Sequence, residues 1–186
     1  MAAGDLTTLD AVHGWLGLDP SDATDDAQLA TLITAASGFI RQYTGRDFSS
    51  QTYTEVRDGT GGIRLRLANT PILSVASLTI DGQAIPAGDA FQTRGYYITQ
   101  ALVSLNGYWF CRGAGNVSVT YQAGYTVIPS EVAQACTELV GFRYREASRV
   151  GMASKGGAGE TTAFVIKDMP PSVLTILKQL KKVVPV

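Results

Sequence analysis

Apolar residues recur every three to four positions in one long stretch near the start of the chain. This spacing puts one apolar stripe along about five turns of an α-helix. Asp25 or Asp26 is a suitable N-cap for it, and Gly45 suits the left-handed stop after it. The pattern therefore predicts a helix over 26–44. Its apolar positions are Leu29, Leu32, Ile33, Ala36, Phe39, Ile40 and Tyr43.

The same periodicity returns near the end of the chain. Ser130 is a good N-cap for a helix over 130–145, and Glu131 suits the positive end of its dipole. A last helix over 172–182 follows two prolines, with lysines opposite its apolar side. A short helix over LDAVHGWLG comes first in the chain. The apolar positions of the two later helices are Val132, Ala135, Cys136, Leu139, Val140 and Phe142, then Val173, Leu174, Leu177 and Leu180.

Between the long helices the pattern changes to alternation. In IRLRL, the side chains of Ile63, Leu65 and Leu67 fall on one face and two arginines on the other. Turn signals such as Asp81–Gly82 separate further short runs at TYTEV, SVASLTI, YYIT, ALVSL and NVSVTYQ. The region predicts a small antiparallel sheet or barrel-like module.

These elements predict an α+β fold in one domain of 186 residues. Residues 1–50 and 127–186 form a helical bundle core, and 51–126 form an inserted antiparallel β module. Residues 147–162 contain four glycines and few large side chains, which is typical of a flexible loop. AFVIK, after that segment, is a candidate short strand.

The composition indicates a globular chain, and its charge does not favour binding to nucleic acid. Hydrophobic residues make up 45% and charged residues 17%, and the net charge is −1. No apolar run approaches the roughly 20 residues that span a bilayer, and no secretory signal is visible. Cys111 and Cys136, the only cysteines, are therefore predicted to be buried thiols in a reducing cytosol, and a disulfide between them is the alternative.

Charge is split between the two ends of the sequence. Residues 1–40 carry six aspartates and no lysine or arginine, whereas residues 141–186 carry eight basic and three acidic side chains. One interpretation is two solvated surfaces of opposite sign. The other is a subunit whose acidic side meets a neighbour's basic side.

No catalytic, cofactor or metal site is predicted. His13 is the only histidine, and no CxxC, HxxxH or HExxH spacing occurs. In SKGGAGET the lysine precedes the glycines, unlike a phosphate-binding P-loop. Two functional classes stay open. One is a hydrolase or transferase with Cys111 or Cys136 as nucleophile, and the other is a sheet-based binding domain for a small ligand or carbohydrate with an aromatic pocket. The pocket would use Tyr96, Tyr97, Tyr108, Trp109 and Phe110.

Several motifs, in order, resemble one family. The first is LTTLDAVHGWLGLDPSDATDDAQLATLITAASGFIRQYTGRDF; then come YTEVRDGTGG, LANTPILSVASLTIDG and NVSVTYQAGYTVIPSEVAQACTELVGFRYRE. Together they cover about 6–146 and are similar to head–tail connector (adaptor) proteins of tailed bacteriophages and gene-transfer-agent-like particles. The resemblance is to long members with a β-rich insertion.

The resemblance implies a structural role and not an enzyme. Such subunits form a twelve-fold homo-oligomeric ring in the neck of the virion, beneath the portal protein. The ring extends the DNA channel, with no sequence-specific DNA binding, and is the platform for stopper and tail proteins. Assembly would take place in the host cytoplasm, with no membrane. A stopper or tail-completion protein of the same particle is the alternative.

The last predicted helix is a candidate docking element for the portal or a neighbouring subunit. Its apolar side and its basic end are both suited to a partner surface. The alternative is that the helix folds back on its own core. The predicted partner-interface residues are Val173, Leu174, Leu177, Lys178, Leu180, Lys181 and Lys182.

Overall fold

A computed structural model describes residues 4–147, 154–157, 160–163 and 169–182. It divides the chain into two compact units, one of residues 1–46 with 128–186 and one of residues 47–127. The first is helical and the second is made of β-strands, which confirms the predicted α+β class.

In the described part of the helical unit there are four helices: α1 (Leu9–Leu16), α2 (Asp26–Thr44), α3 (Ser130–Ala147) and α4 (Pro171–Leu180). The hydroxyl of Thr8 caps α1 by accepting from the Ala11 amide, and Gly17 and Gly45 end α1 and α2 in the left-handed conformation. α3 packs against the other three helices. Its buried residues include Val132, Ala135, Cys136, Leu139 and Val140.

Seven strands build the β unit: β1 (Gln51–Gly59), β2 (Arg64–Arg66), β3 (Ile72–Ile80), β4 (Gln83–Ala84), β5 (Gly95–Ile98), β6 (Leu102–Asn106) and β7 (Gly113–Ala123). They form two antiparallel sheets, in the orders β1-β7-β3-β4 and β2-β6-β5. Inward side chains of both sheets make one core, with Val103, Phe110, Val117, Val119 and Tyr121 fully buried.

The outer face of the larger sheet is mainly polar, although Val56 of β1 is exposed on it. Thr54 pairs with Thr120 across β1 and β7, and their hydroxyl oxygens lie 3.1 Å apart. One predicted inward residue does not follow the alternation. Ile63 precedes the first strand residue and is half exposed, while Leu65 and Leu67 are buried.

Within the segment that the sequence predicts as a flexible loop, the structure describes two short antiparallel strands. They are β8 (Ser154–Gly157) and β9 (Glu160–Ala163). Of the candidate strand AFVIK only the first residue belongs to β9, and the rest lies outside the described residues. Half of the residues in the predicted flexible loop, 148–153 and 158–159, also lie outside the described residues.

Candidate assembly surfaces

Buried hydrogen bonds fix the segment before α1 to the helical unit. The Leu6 amide donates to the Ser37 hydroxyl at 2.9 Å, and the Thr7 and Thr137 hydroxyl oxygens lie 2.7 Å apart. The Thr34 hydroxyl donates to the Asp5 carboxylate at 3.1 Å. Polar groups that are buried together in this way act as structural ties, because each satisfies another.

The acidic pair at the start of α2 ties helices together, and the predicted side-chain cap is not formed. Asp25 occupies the N-cap position without a side-chain cap bond, and instead accepts from the Tyr144 hydroxyl on α3. That hydrogen bond raises the pKa of Tyr144. Asp26 lies 2.9 Å from the buried Nε2 of His13 on α1. The only histidine is therefore a packing residue between helices, with a carboxylate partner.

Both cysteines are free thiols, and neither has a nucleophile's surroundings. Cys136 is buried on α3, and this burial raises the pKa of its thiol to about 11. A thiol that stays protonated at neutral pH is a poor nucleophile. Cys111 is half-buried in the β unit, where its sulfur lies 3.9 Å from the Trp109 carbonyl oxygen.

The apolar side of α4 packs on its own subunit. Val173 and Leu177 are fully buried, and α4 lies against α2 and α3. The Ser172 hydroxyl donates to Glu138 of α3 at 2.7 Å. These two apolar residues of the predicted interface are thus already covered in the subunit. Leu174 and Leu180 are only half-buried.

The basic end of α4 is partly engaged as well. The Lys181 ammonium lies 5.6 Å from the centre of the Tyr43 ring, a cation–π contact. The Lys182 amide donates to the Thr44 carbonyl at 2.8 Å, which attaches the chain after α4 to the end of α2. Lys178 is exposed on α4. The half-buried leucines and exposed lysines are what remains of the predicted docking surface.

An ordered acidic loop joins α1 to α2. Asp19 accepts from the amide and hydroxyl of Ser21, and Asp22 accepts from the amide and hydroxyl of Thr24. These hydrogen bonds lower the pKa of both aspartates, so both stay charged well below neutral pH. Their side chains are exposed. Of the six N-terminal aspartates, Asp10, Asp19 and Asp22 are the ones at the surface.

The aromatic cluster of the β unit does not converge on one ligand pocket. Phe110 is fully buried in the core, and the Tyr96 hydroxyl donates to the Val75 carbonyl at 2.9 Å. Tyr108 and Trp109 instead line a surface groove of about 270 Å³. We call it the β-unit groove. Its other lining residues are Ile80, Asp81, Gln83, Ile85, Arg94, Gly107 and Cys111.

A polar network holds the loop between β2 and β3. The Tyr121 hydroxyl donates to Glu55 and accepts from the Asn69 amide at 3.1 Å. The Ala68 amide donates to Glu55 at 3.1 Å, and Arg57 pairs with the same carboxylate at 3.1 Å. The network stabilises the sheet and shows no reactive geometry.

The described residues contain no group of three or more potential metal ligands. Among them, too, no helix has the length and hydropathy of a membrane span.

Three solved structures share the fold over the whole chain. They are titled the neck of an empty GTA particle computed with C6 symmetry, the neck of a native GTA particle computed with C12 symmetry, and the virion of a native gene transfer agent particle. Each match covers 100% of this chain. The shares of the three matched chains that are covered are 95%, 95% and 94%, in the same order. Identities are 19%, 18% and 18%, with TM-scores of 0.62, 0.58 and 0.62. No curated protein sequence is significantly similar to this chain.

The family model described as "Head completion protein" matches residues 5–183. This range includes all four helices and every strand of the β unit. The family consists of structural head completion proteins and not of enzymes. The chain therefore belongs to the head completion protein family.

Proposed function

We propose that this chain is the subunit of a head–tail connector ring, with twelve copies docked beneath the portal protein. The ring extends the DNA channel without sequence-specific contacts and is the platform for stopper and tail proteins. The family match over residues 5–183 carries the proposal. Assembly takes place in the host cytoplasm, before the ring becomes part of the virion neck.

The whole-chain fold similarity supports the ring. Two of the matched structures are necks computed with six-fold and twelve-fold symmetry, so their subunits repeat around an axis. A subunit in such a ring needs two different surfaces that meet head to tail. The chain has to present both on one molecule.

Surface charge supplies one such pair of surfaces within the helical unit. The acidic surface consists of Asp10, Asp19 and Asp22, and the basic surface includes Lys178 on α4. Opposite charges on neighbouring subunits steer association and help to set its register. Under this proposal Leu174 and Leu180 lie at the edge of the same contact, facing a neighbour or the portal.

Particles that lack this chain provide the test. They would be complemented with the wild type, with Asp19→Lys/Asp22→Lys, with Lys178→Glu, or with all three changes together. We expect each charge reversal to lower incorporation of the subunit, and the combination to restore part of it, because the reversed surfaces attract again.

Electron microscopy of the same particles locates the subunit. Density in a closed ring between portal and tail supports the proposal. Density farther from the portal, after another ring, would favour a stopper instead. Particles that complete their heads and tails normally without the chain would exclude a connector role.

A further inference from the structure

An ordered loop of the β unit carries an aromatic side chain that is almost fully exposed. Phe91 is 94% exposed, more than any other large hydrophobic side chain in the described part of the chain. It lies in the loop between β4 and β5. A single exposed apolar residue needs no explanation by itself. Phe91 is informative because hydrogen bonds order the loop that carries it.

One carboxylate organises that loop. Asp89 accepts from the backbone amides of Phe91, Gln92 and Thr93 at 2.8, 2.5 and 3.0 Å. These bonds lower its pKa to about 2, so the carboxylate is charged under ordinary conditions. The Asn106 side-chain amide donates to the Asp89 and Thr93 carbonyls, both at 3.2 Å. The phenyl ring is thus held outward by a preorganised turn, which lowers the entropic cost of binding.

The β-unit groove has the size and chemistry to receive an aromatic ring. Cavities of about 150 Å³ bind benzene, and the groove measures about 270 Å³. Buried Ile80 and Ile85 and half-exposed Trp109 supply apolar surface. The Arg94 guanidinium, which lies 5.2 Å from the Tyr108 ring centre, adds a cation that favours aromatic partners.

We infer that Phe91 of one copy inserts into the β-unit groove of the next copy, as a heterologous contact between subunits. The groove adjoins the same loop, because Arg94 lines it, but Phe91 is not among its lining residues, so each copy offers both an insert and a receptor. Repeated contacts of this kind either close a ring or extend a filament. The inference deepens the proposed function by naming a contact that holds neighbouring subunits together.

Cys111 lies in the groove and allows a direct test. In full-length chain carrying Cys136→Ala, the change Phe91→Cys places a second thiol on the loop. Mild oxidation should then link Phe91→Cys of one copy to Cys111 of its neighbour. Non-reducing gels of purified protein and of particles should show a ladder of oligomers, which Cys111→Ala abolishes.

Two outcomes would overturn the inference. One is no ladder in particles, where the rest of the ring holds neighbouring copies together although Phe91→Cys lacks the phenyl ring. The other is a single dimer band that persists with Cys111→Ala, because that band would join two loops. A ring seen in particles without the cross-link would refute only this contact. A cross-link in solution from a chain that is absent from the neck would refute only the proposed function.

Binding measurements supply the matched control. Phe91→Ala should weaken self-association on the order of tenfold or more, as expected for a buried aromatic anchor. Gln92→Ala, one position along the same loop, removes an exposed side chain and keeps the turn, so it should leave association unchanged. Equal association of both variants with the wild type would contradict the inference, provided that both melt like the wild type.

Discussion

Among the residues of the β unit, Tyr121 combines full burial with an ionisable hydroxyl. Its bonds to Glu55 and Asn69 connect β7, β1 and the loop after β2. Burial first, and then the hydrogen bond to Glu55, raise the pKa of Tyr121 to about 12. The phenol therefore remains protonated in the folded chain at pH values where a free tyrosine, with a pKa of about 10, has ionised.

We predict that Tyr121→Phe lowers the free energy of unfolding by about 1–3 kcal/mol at pH 7, because it leaves Glu55 and the Asn69 amide without this partner. The wild type should lose stability between about pH 10 and 12, because the contribution of a raised folded-state pKa is complete below the unfolded pKa and is lost as the pH rises to the folded pKa. The variant lacks that loss, so urea midpoints of the two proteins should converge at alkaline pH.

Tyr97→Phe is the control for this experiment. Tyr97 is half-buried on β5, and its hydroxyl makes no hydrogen bond to the described part of the chain. Its removal should change the midpoint little at either pH. A gap between wild type and Tyr121→Phe that stays constant from pH 7 to pH 11 would contradict the assigned titration.

At the scale of elements, two of the three glycines in the turn DGTGG have very different surroundings. A Cβ on Gly59 would lie 1.7 Å from the Cys111 carbonyl oxygen, which is backbone and cannot move aside easily. A Cβ on Gly62 would meet only the Thr60 hydroxyl, at 3.5 Å. The end of β1 therefore requires glycine at one position and tolerates a side chain at the other.

Gly59→Ala should accordingly lower the free energy of unfolding by about 2 kcal/mol or more, since β1 has to move away from residue 111. Gly62→Ala should stay within about 0.5 kcal/mol of the wild type. Chemical denaturation of both variants measures the difference. Similar midpoints for the two would show that the approach of β1 to Cys111 is not tight.

Helix α4 illustrates what periodicity predicts and what it leaves open. The spacing placed the helix within about two residues of Pro171–Leu180 and identified its apolar side. It could not decide what covers that side, because an apolar stripe fits a neighbouring subunit as well as the subunit's own helices. The structure places Val173 and Leu177 against the subunit itself. The spacing also did not reveal that the Tyr43 ring at the end of α2 makes a cation–π contact with Lys181.

Leu177→Asp should therefore destabilise the free subunit, because a charge would replace a fully buried side chain. We expect a loss of about 3 kcal/mol or more, or roughly 6–12 °C in Tm. Lys178→Asp, one residue further on the exposed side, should leave Tm nearly unchanged. If Lys178→Asp nevertheless lowers incorporation into particles, α4 docks through its exposed side. An unaltered Tm for Leu177→Asp would contradict the packing.

For the molecule as a whole, the order of elements and the α+β class followed from the sequence, because helical and alternating periods are local signals. The pairing of the strands could not be predicted in this way. β7 pairs with both β1 and β3, which are far from it in the sequence, and local periodicity carries no information about such distant partners. The β-unit groove could not be predicted from the sequence either. It is lined by residues from 80 to 111, which only the folded sheets bring together.

The chain enters and leaves the β unit at neighbouring points. Ser49 pairs with Tyr125, and the Phe48 and Tyr125 rings lie 6.3 Å apart. Because the unit has its own core, residues 47–127 should fold as a separate fragment and unfold cooperatively. Replacing 47–127 by a linker of about 4–6 Gly and Ser residues should leave a folded helical unit.

Circular dichroism melts and amide NMR spectra of both fragments test this autonomy. If the β fragment folds, it contains both Phe91 and Cys111, so its Phe91→Cys form should give the same disulfide ladder as the full chain. The helical fragment, which lacks both residues, should not associate through this contact, although it keeps the charged surfaces around Asp19 and Lys178. A β fragment that folds but stays monomeric under oxidation would mean that the contact between copies requires the helical unit as well.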